Sequence, residues 1–521
     1  MKLTIDNKEI ECEEGISLME AARRIGIEVP ALCYREGYDH FTSCMMCMVK
    51  DTKAGKNVPA CSARVADGMV VETQNDEIRA FRKSTLELLL SDHLGDCEAP
   101  CQRLCGVHNE VPQIIRDIMA GQMGTAVAHL RSDMALPAVL ERFCNAPCEK
   151  GCRRGLVDES VSIRALMRHA AEWDLQNAEP YVPPCAPSSG KRVAIIGAGM
   201  TGLSTAYYLA LMGHSSVVFE RQPRVLPRLR DENGTEVLPD WVVEGELRLL
   251  NRLGVEIRTG IKAGSDISMA DLRRQFSAVV VACGAVPVED LELLGVPGTA
   301  KGIIADAGTS QTKIDGVFSA GNAVKRDTPI LRTVQQAKAM ATCISQRLNG
   351  KQIVGIYEMY NHMMGRLQPE ELKEFASHAS PIPRVRSADA GHVSFAKEAA
   401  VLETGRCMHC DCRANHDCDL RTYSDQYGAV QSAYKGEQRA TYVQMNGGTG
   451  VLFEPGKCVK CGLCVRVTSK DGEKFGFTFV GRGFEVKAAI SLGKSLEEGL
   501  EKSGSKVVEA CPTGALANAE E

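Results

Sequence analysis

Cysteine spacing constrains this chain more than any other feature of its sequence. It has 22 cysteines, and 18 of them fall into tight groups; only Cys12, Cys185, Cys283 and Cys343 stand alone. Thiols stay reduced in a cytosol, so a cytosolic chain this rich in cysteine points to metal sites rather than disulfides. The alternative is a set of small buried hydrophobes. Tight grouping favours metal sites for the 18, and the four isolated cysteines read as structural. The cytoplasmic expectation comes from the N-terminus. MKLTIDNKEIEC alternates like a strand and lacks the apolar core of a signal peptide. No apolar run reaches the length of about 18 residues that a spanning helix needs.

At 521 residues the chain is too long for one core, and several domains are expected. Its 61 Lys+Arg against 66 Asp+Glu, a net charge of −5, exclude the basic surface of a nucleic-acid binder. A hydrophobic fraction of 44% is that of a globular chain, not a disordered one. Residues 1 to about 75 read as strands and turns around one helix, Ser17 to Ile25. Residues 77–180 read as helical, and VPPCAPSSGK (182–191) as a linker. An α/β stretch runs to Asn349, then a helical connector over 350–400 with a break at 379–387. The domain boundaries expected are 1–76, 77–181, 190–349, 350–425 and 426–521.

Cys33, Cys44, Cys47 and Cys61 are spaced C-x10-C-x2-C-x13-C. Four thiolates suffice for a [2Fe–2S] pair, and zinc also accepts four. The surrounding text, PALCYREG, TSCMMCMVKD and VPACSARVADGMVVET, resembles the N-terminal ferredoxin-like domain of the large iron–sulfur subunit of respiratory complex I and its hydrogenase relatives. That resemblance implies a β-grasp fold holding a [2Fe–2S] cluster.

Further on, His93, Cys97, Cys101 and Cys105 stand in LELLLSDHLGDCEAPCQRLC, and Cys144, Cys148 and Cys152 in FCNAPCEKGC. The first stretch is similar to a complex I segment in which a histidine and cysteines hold a [4Fe–4S] cluster. Both together resemble the helical domain of the glutamate synthase small subunit and of dihydropyrimidine dehydrogenase, which carries two [4Fe–4S] clusters with interleaved ligands. The resemblance implies one cluster on His93, Cys97, Cys101 and Cys152, and another on Cys105, Cys144 and Cys148. The fourth ligand of the second is a Glu or Gln in that family; here Met167 stands near its place. A solvated helix-end histidine is the alternative for His93.

In KRVAIIGAGMTGLSTAYYLALMGHSSVVFE (191–220), Gly197, Gly199 and Gly202 form G-x-G-x-x-G between a strand and a helix. The first glycine allows a tight turn, the second a close approach of a pyrophosphate, the third close packing of helix on strand. The helix N-terminus then faces the phosphates. Glu220 ends the second strand, where an acid binds a ribose. The fingerprint does not choose between FAD and NAD(P). The glutamate synthase resemblance implies FAD, with DGVFSAGNAVKRDTPILRTVQQAKAMA as the second FAD segment and Gly321 and Asn322 in place of its GD pair. Two features depart from that family. Only about thirty residues separate VVVACGAVP from GVFSAGNAV, too few for the family's NADPH domain, and RQPRVLPRLRDENGTEVLP (221–239) replaces its glycine-rich loop. A scaffold with an empty flavin pocket is the alternative.

RCMHCDCRANHDCDLR supplies Cys407, Cys410, Cys412 and Cys418, enough for one [4Fe–4S] cluster or one zinc. Similar segments follow flavin domains in related iron–sulfur flavoproteins, which favours the cluster. KCVKCGLCVRVT supplies Cys458, Cys461 and Cys464. It begins the ferredoxin run C-x2-C-x2-C-x3-C-P, with Thr468 at the fourth position and the distal Cys511 before Pro512 instead. One [4Fe–4S] cluster on Cys458, Cys461, Cys464 and Cys511 is expected.

The expected protein is therefore a multidomain α/β and α+β chain. It has a β-grasp ferredoxin domain, a helical double-cluster domain, a truncated Rossmann-type FAD domain and a ferredoxin-like C-terminal domain. Its cofactors would be one [2Fe–2S], four [4Fe–4S] and FAD. Joined in this order, the pieces resemble the iron–sulfur A-type subunits of NADH-linked electron-bifurcating complexes. That resemblance implies partners: a complex I-like FMN- and NAD-binding subunit, a small [2Fe–2S] subunit, ferredoxin, and a hydrogenase, formate dehydrogenase or NADPH-oxidising subunit. No nucleic acid and no membrane span are expected. The other enzyme reading is a self-contained flavin oxidoreductase like the glutamate synthase small subunit; a zinc scaffold is the non-redox one.

Overall fold

The computed structural model describes all residues except 286, 387–393, 435, 437–439, 447, 520 and 521. The chain folds into two compact units, neither continuous in sequence. One contains residues 1–99, 359–378 and 409–521; the other contains 100–358 and 379–408. Among the described residues, no helix is long and apolar enough to cross a membrane.

The first unit begins with a five-stranded mixed sheet. Its order is Lys8–Glu11, Lys2–Ile5, Val70–Glu72, Met48–Asp51, Lys56–Pro59. Lys2–Ile5 runs parallel to Val70–Glu72, and the other pairings are antiparallel. Helix Leu18–Arg24 lays Leu18, Ala21 and Ala22 against Leu3, Ile5, Val49 and Val71. Ser17 starts that helix by accepting the Glu20 N–H, and the Glu20 carboxylate answers the Ser17 N–H, a reciprocal cap. Helix Asp76–Ser91 follows, tied to the sheet by Arg82. This arginine is fully buried and donates to the carbonyls of Met46, Met48 and Thr73 and to the Tyr427 hydroxyl, all at 2.9–3.0 Å. In the same unit, Val451–Phe453 pairs with Leu516–Asn518, and Phe477–Val480 with Lys487–Ile490. Leu86, Leu90, Tyr427, Phe453, Phe477 and Val507 share one core there.

The second unit joins helices Val111–Met119, Met123–Asp133, Pro137–Phe143 and Ile163–Gln176 to a five-stranded parallel sheet. The sheet order is Val317–Ser319, Ala278–Val281, Arg192–Ile196, Ser215–Glu220, Glu256–Thr259. The central strands are buried on both faces, which is why AVVV and the VAII of Arg192–Ile196 read as unbroken apolar runs. Helices Met200–Leu211 and Ile330–Leu348 pack against each other beside it. Arg131 has no exposed surface and is held between Asp174 at 2.8 Å and Glu246 at 2.9 Å.

One expectation needs correction. The connector over 350–400 is not helical at its start: residues 351–366 are irregular, and among the described residues helices form at Pro369–Ser377 and Lys397–Thr404. Backbone partners outside the segment decide this. The N–H groups of Val354 and Gly355 donate to the Gln346 side chain, that of Tyr360 to Asp425, and that of Met364 to Asp96. Those bonds take the donors a helix would use internally, in a stretch interrupted by Gly355 and Gly365 at positive φ. Of the expected break at 379–387, the last residue lies outside the described residues.

Candidate iron–sulfur and flavin sites

In the first unit, the N-terminal thiols come together two and two. Cys33 interacts with Cys44, and Cys61 with Cys47. The neighbouring thiol pulls Cys33 down to about 5 and Cys61 to about 6, while Cys44 and Cys47 are pushed up by their partners and by burial. The loop bends twice through left-handed backbone, at Thr42 and Met45, to turn the C-x2-C pair inward. The Leu32 N–H donates to Cys44 Sγ at 3.3 Å. A pairing of two thiols with two fits the two irons of a [2Fe–2S] cluster.

Cys458, Cys461, Cys464 and Cys511 line one small cavity with Phe453 and Leu516. Lys460 takes a left-handed conformation, and its N–H points at Cys458 Sγ, 3.3 Å away. Thr468, at the fourth position of the ferredoxin run, is buried and structural. Its hydroxyl donates to the Cys464 carbonyl and accepts the Phe477 N–H, both at 3.0 Å. Between this group and the N-terminal one lies Arg466. Its Nη2 donates to the carbonyls of both Cys33 and Cys461 at 3.1 Å, and its guanidinium stacks over Phe41.

The remaining thiols divide between the units. His93, Cys97, Cys410, Cys412 and Cys418 belong to the first; Cys101, Cys105, Cys144, Cys148, Cys152 and Cys407 belong to the second. In the second unit, Cys105, Cys144 and Cys148 share a core with Met167. Sequence reasoning missed Glu141 here. It lies within helix Pro137–Phe143, is 5% exposed, and its charge bears on all three thiols. Burial pushes its own carboxyl up to about 8, Arg164 pulling the other way. An acid inside the apolar run PAVLERF, three residues before a cysteine, was the available signal. Among the described residues, no three His, Cys, Asp or Glu side chains close around a point that would hold a single metal ion; the thiols form wider groups.

The glycine fingerprint opens on a cavity of about 580 Å³, lined by Gly197, Gly199, Thr201, Glu220, Asn322 and Thr328 among others. That volume suits a cofactor. Gly197 has φ +107°, and a Cβ there would meet the Ala282 carbonyl at 2.5 Å. A Cβ on Gly202 would lie 1.9 Å from the Gly197 oxygen, whereas Gly199 faces open space. Gly321 also needs positive φ; it sits against Thr201 and donates its N–H to Gln336. The Glu220 carboxylate accepts the N–H groups of Ala198 at 2.8 Å and Gln222 at 2.9 Å, which fixes it at the strand end. Pro227–Val237, in the segment that replaces the family's glycine-rich loop, is helical and starts at the same cavity. The open space at Gly199, the start of helix Met200–Leu211 and the fixed acid fit the pyrophosphate and ribose of a dinucleotide.

Comparison with known proteins agrees with this picture at the level of domains. Residues 1–76 match the 2Fe-2S iron–sulfur cluster binding domain, and residues 92–179 match dihydropyrimidine dehydrogenase domain II, 4Fe-4S cluster. Residues 155–341 match the pyridine nucleotide-disulphide oxidoreductase family. These are oxidoreductase domains. Among curated relatives, the NADP(+)-dependent formate dehydrogenase subunit beta of Moorella thermoacetica is 36% identical over 207 residues, covering 36% of this chain and 29% of its own. The NADPH-Fe(3+) oxidoreductase subunit beta of Geobacter sulfurreducens is 35% identical over 214 residues, covering 39% and 30%. The glutamate synthase [NADPH] small chain of Bacillus subtilis is 32% identical over 200 residues, covering 37% and 39%. The chain thus spans well under half the length of each of these three.

Proposed function

We propose that this chain is the electron-transfer iron–sulfur subunit of a multi-subunit, flavin-based electron-bifurcating oxidoreductase. It would couple NAD(H) and ferredoxin to a third donor such as H2, formate or NADPH. The observation that carries the reading is Arg466. One buried guanidinium nitrogen holds the backbone of Cys33, in the [2Fe–2S] thiol set, and of Cys461, in the C-terminal set. One residue bonded to the backbone of both cysteine groups supports reading them as neighbouring cluster sites that exchange electrons. The relatives' names support the class, since they describe subunits of formate- and NADPH-linked enzymes.

The cysteine inventory supports one [2Fe–2S] and four [4Fe–4S] clusters, and the cavity at Gly199 supports FAD. When bound, these groups supply one-electron transfer and, at the flavin, the exchange between one- and two-electron chemistry. The chain's residues hold and tune them. The paired thiols of Cys33, Cys44, Cys47 and Cys61 each offer a sulfur in a loop that excludes water. Glu141 stands as the fourth ligand beside Cys105, Cys144 and Cys148. Glu220 and the Gly197–Gly202 turn would seat the flavin's dinucleotide end. NAD(P)H would bind on a partner subunit of the complex I type. An untagged purification from the native cell, done anaerobically, tests this. Co-purification of a flavin subunit, with visible absorption that bleaches on reduction, is the expected result. Rapid NADH or NADPH oxidation by the isolated chain would instead favour the self-contained flavoenzyme, and a colourless, zinc-loaded protein the scaffold.

A further inference from the structure

Two segments far apart in sequence meet in the first unit. The Cys412 N–H donates to the Cys97 carbonyl at 3.2 Å. Cys97 is bracketed by His362, whose N–H points at Cys97 Sγ from 3.4 Å and whose carbonyl accepts the Cys97 N–H at 3.1 Å. Cys418 closes the group. Its sulfur accepts the Arg421 N–H at 3.4 Å and lies 3.9 Å from the Pro512 carbonyl. Cys97, Cys412 and Cys418 are all buried.

Two further observations point to a ligand at this place. His93 is half-buried, but its Nδ1 is enclosed and lacks any hydrogen-bond partner, and its ring meets that of His362 edge-on, centroids 4.8 Å apart. An imidazole nitrogen desolvated without a partner is costly unless something else binds it. Second, Gly514 admits no side chain. A Cβ there would fall 2.1 Å from Cys412 Sγ and 3.8 Å from the Lys457 side chain. Lys457, itself buried and paired with Glu454, also fills the space beside Gly95. The sulfur of Cys412 is therefore packed against the Cys511–Gly514 turn.

We propose that Cys97, Cys412 and Cys418, with His93, hold one iron–sulfur cluster, its ligands drawn from the His93–Cys97 stretch and the Cys412–Cys418 stretch. This differs from the grouping that the family resemblances imply, in which His93 and Cys97 pair with Cys101 and Cys152, and Cys412 and Cys418 with Cys407 and Cys410. It rests on reading the chain as an iron–sulfur protein. It also places the cluster next to the one on Cys511, since the turn Cys511–Gly514 carries a ligand of one and touches two sulfurs of the other.

The test is a ligand-sharing experiment on the full chain, reconstituted anaerobically and read by Mössbauer and electron paramagnetic resonance spectroscopy with iron analysis. Cys97→Ser, Cys412→Ser and Cys418→Ser are each expected to remove the same spectral component. The double variant Cys97→Ser/Cys412→Ser is expected to lose no more iron than either single one, and Cys101→Ser to remove a different component. If Cys97→Ser and Cys101→Ser share a component while Cys412→Ser removes another, and the Cys97/Cys412 losses add, the proposal is overturned. The [2Fe–2S] signal of the same unit reports whether each variant has folded. Where one has not, Gly514→Ala replaces it: it is expected to shift the component assigned to Cys412 without removing iron. An unchanged component in Gly514→Ala overturns the proposal. A protein without iron at all would instead sink the functional reading above.

Discussion

A thiol becomes a ligand by what its neighbours leave it. Cys33 and Cys61 are drawn below the usual thiol range by the neighbouring Cys44 and Cys47, which favours the thiolate form that iron binds. Cys47→Ser is expected to abolish the [2Fe–2S] resonance and leave the [4Fe–4S] resonances in place, because Cys47 packs in the core of the N-terminal sheet and helix, with Leu3, Leu18, Cys61 and Val71. Spectra of the reduced variant check this; loss of every signal together would show that these thiols are not an independent site. His93 belongs to the same scale. A neutral imidazole in place of a thiolate disfavours the reduced cluster less, so His93→Cys is expected to keep iron and lower the midpoint potential of one cluster. Redox titration decides it: unchanged potentials would leave His93 a packed side chain and nothing more.

At the scale of elements, buried arginines do the joining. Arg82 reaches from helix Asp76–Ser91 to three carbonyls and a hydroxyl, two of the carbonyls flanking Cys47. Arg82→Ala would strand those acceptors in the interior, at a cost on the order of 3 kcal/mol or more. Thermal unfolding is expected to start earlier, and the [2Fe–2S] cluster to be lost faster to a chelator than in the parent chain. Equal chelation rates would mean the loop holds its shape without the arginine. Arg406 serves likewise in the second unit, donating to Asp158, Glu403 and the carbonyls of Ile382, Ser160 and Glu159. The glycine turn at Gly197–Gly202 is a different device: two backbones approach so closely that no side chain fits between them.

For the whole molecule, stability comes from two kinds of core. One face of the parallel sheet buries Ile196, Val217, Phe219, Val279 and Val281 with no grouped cysteine among them, while its other face shares a core with Cys105, Cys144 and Cys148. The C-terminal half of the first unit packs Leu463, Val467 and Phe477 around the thiols themselves. Where thiols form the core, iron binding and folding are one equilibrium. Removing iron with a chelator is expected to speed amide hydrogen exchange over residues 451–518 and 33–61. Strands Arg192–Ile196 and Ala278–Val281 are expected to keep their protection. Uniform loss of protection would mean that the sheet, too, depends on the clusters.

Local chemistry was legible in the sequence because it is written at short range. C-x2-C pairs, the G-x-G-x-x-G turn with its acid, and the unbroken apolar strands each follow from neighbours within about twenty residues. The reciprocal cap of helix Leu18–Arg24 is of the same kind. What tertiary structure decided is which short-range pieces share a core. Residues 359–378 and 409–521 fold with the N-terminal ninety-nine, and residues 379–408 with the parallel sheet. The course of 351–366 was set by Gln346, Asp425 and Asp96, and the place of Glu141 by burial beside three thiols. None of these has a period or a motif. They depend on which buried donors and acceptors remain to be satisfied once the chain has closed, and that is settled only in three dimensions.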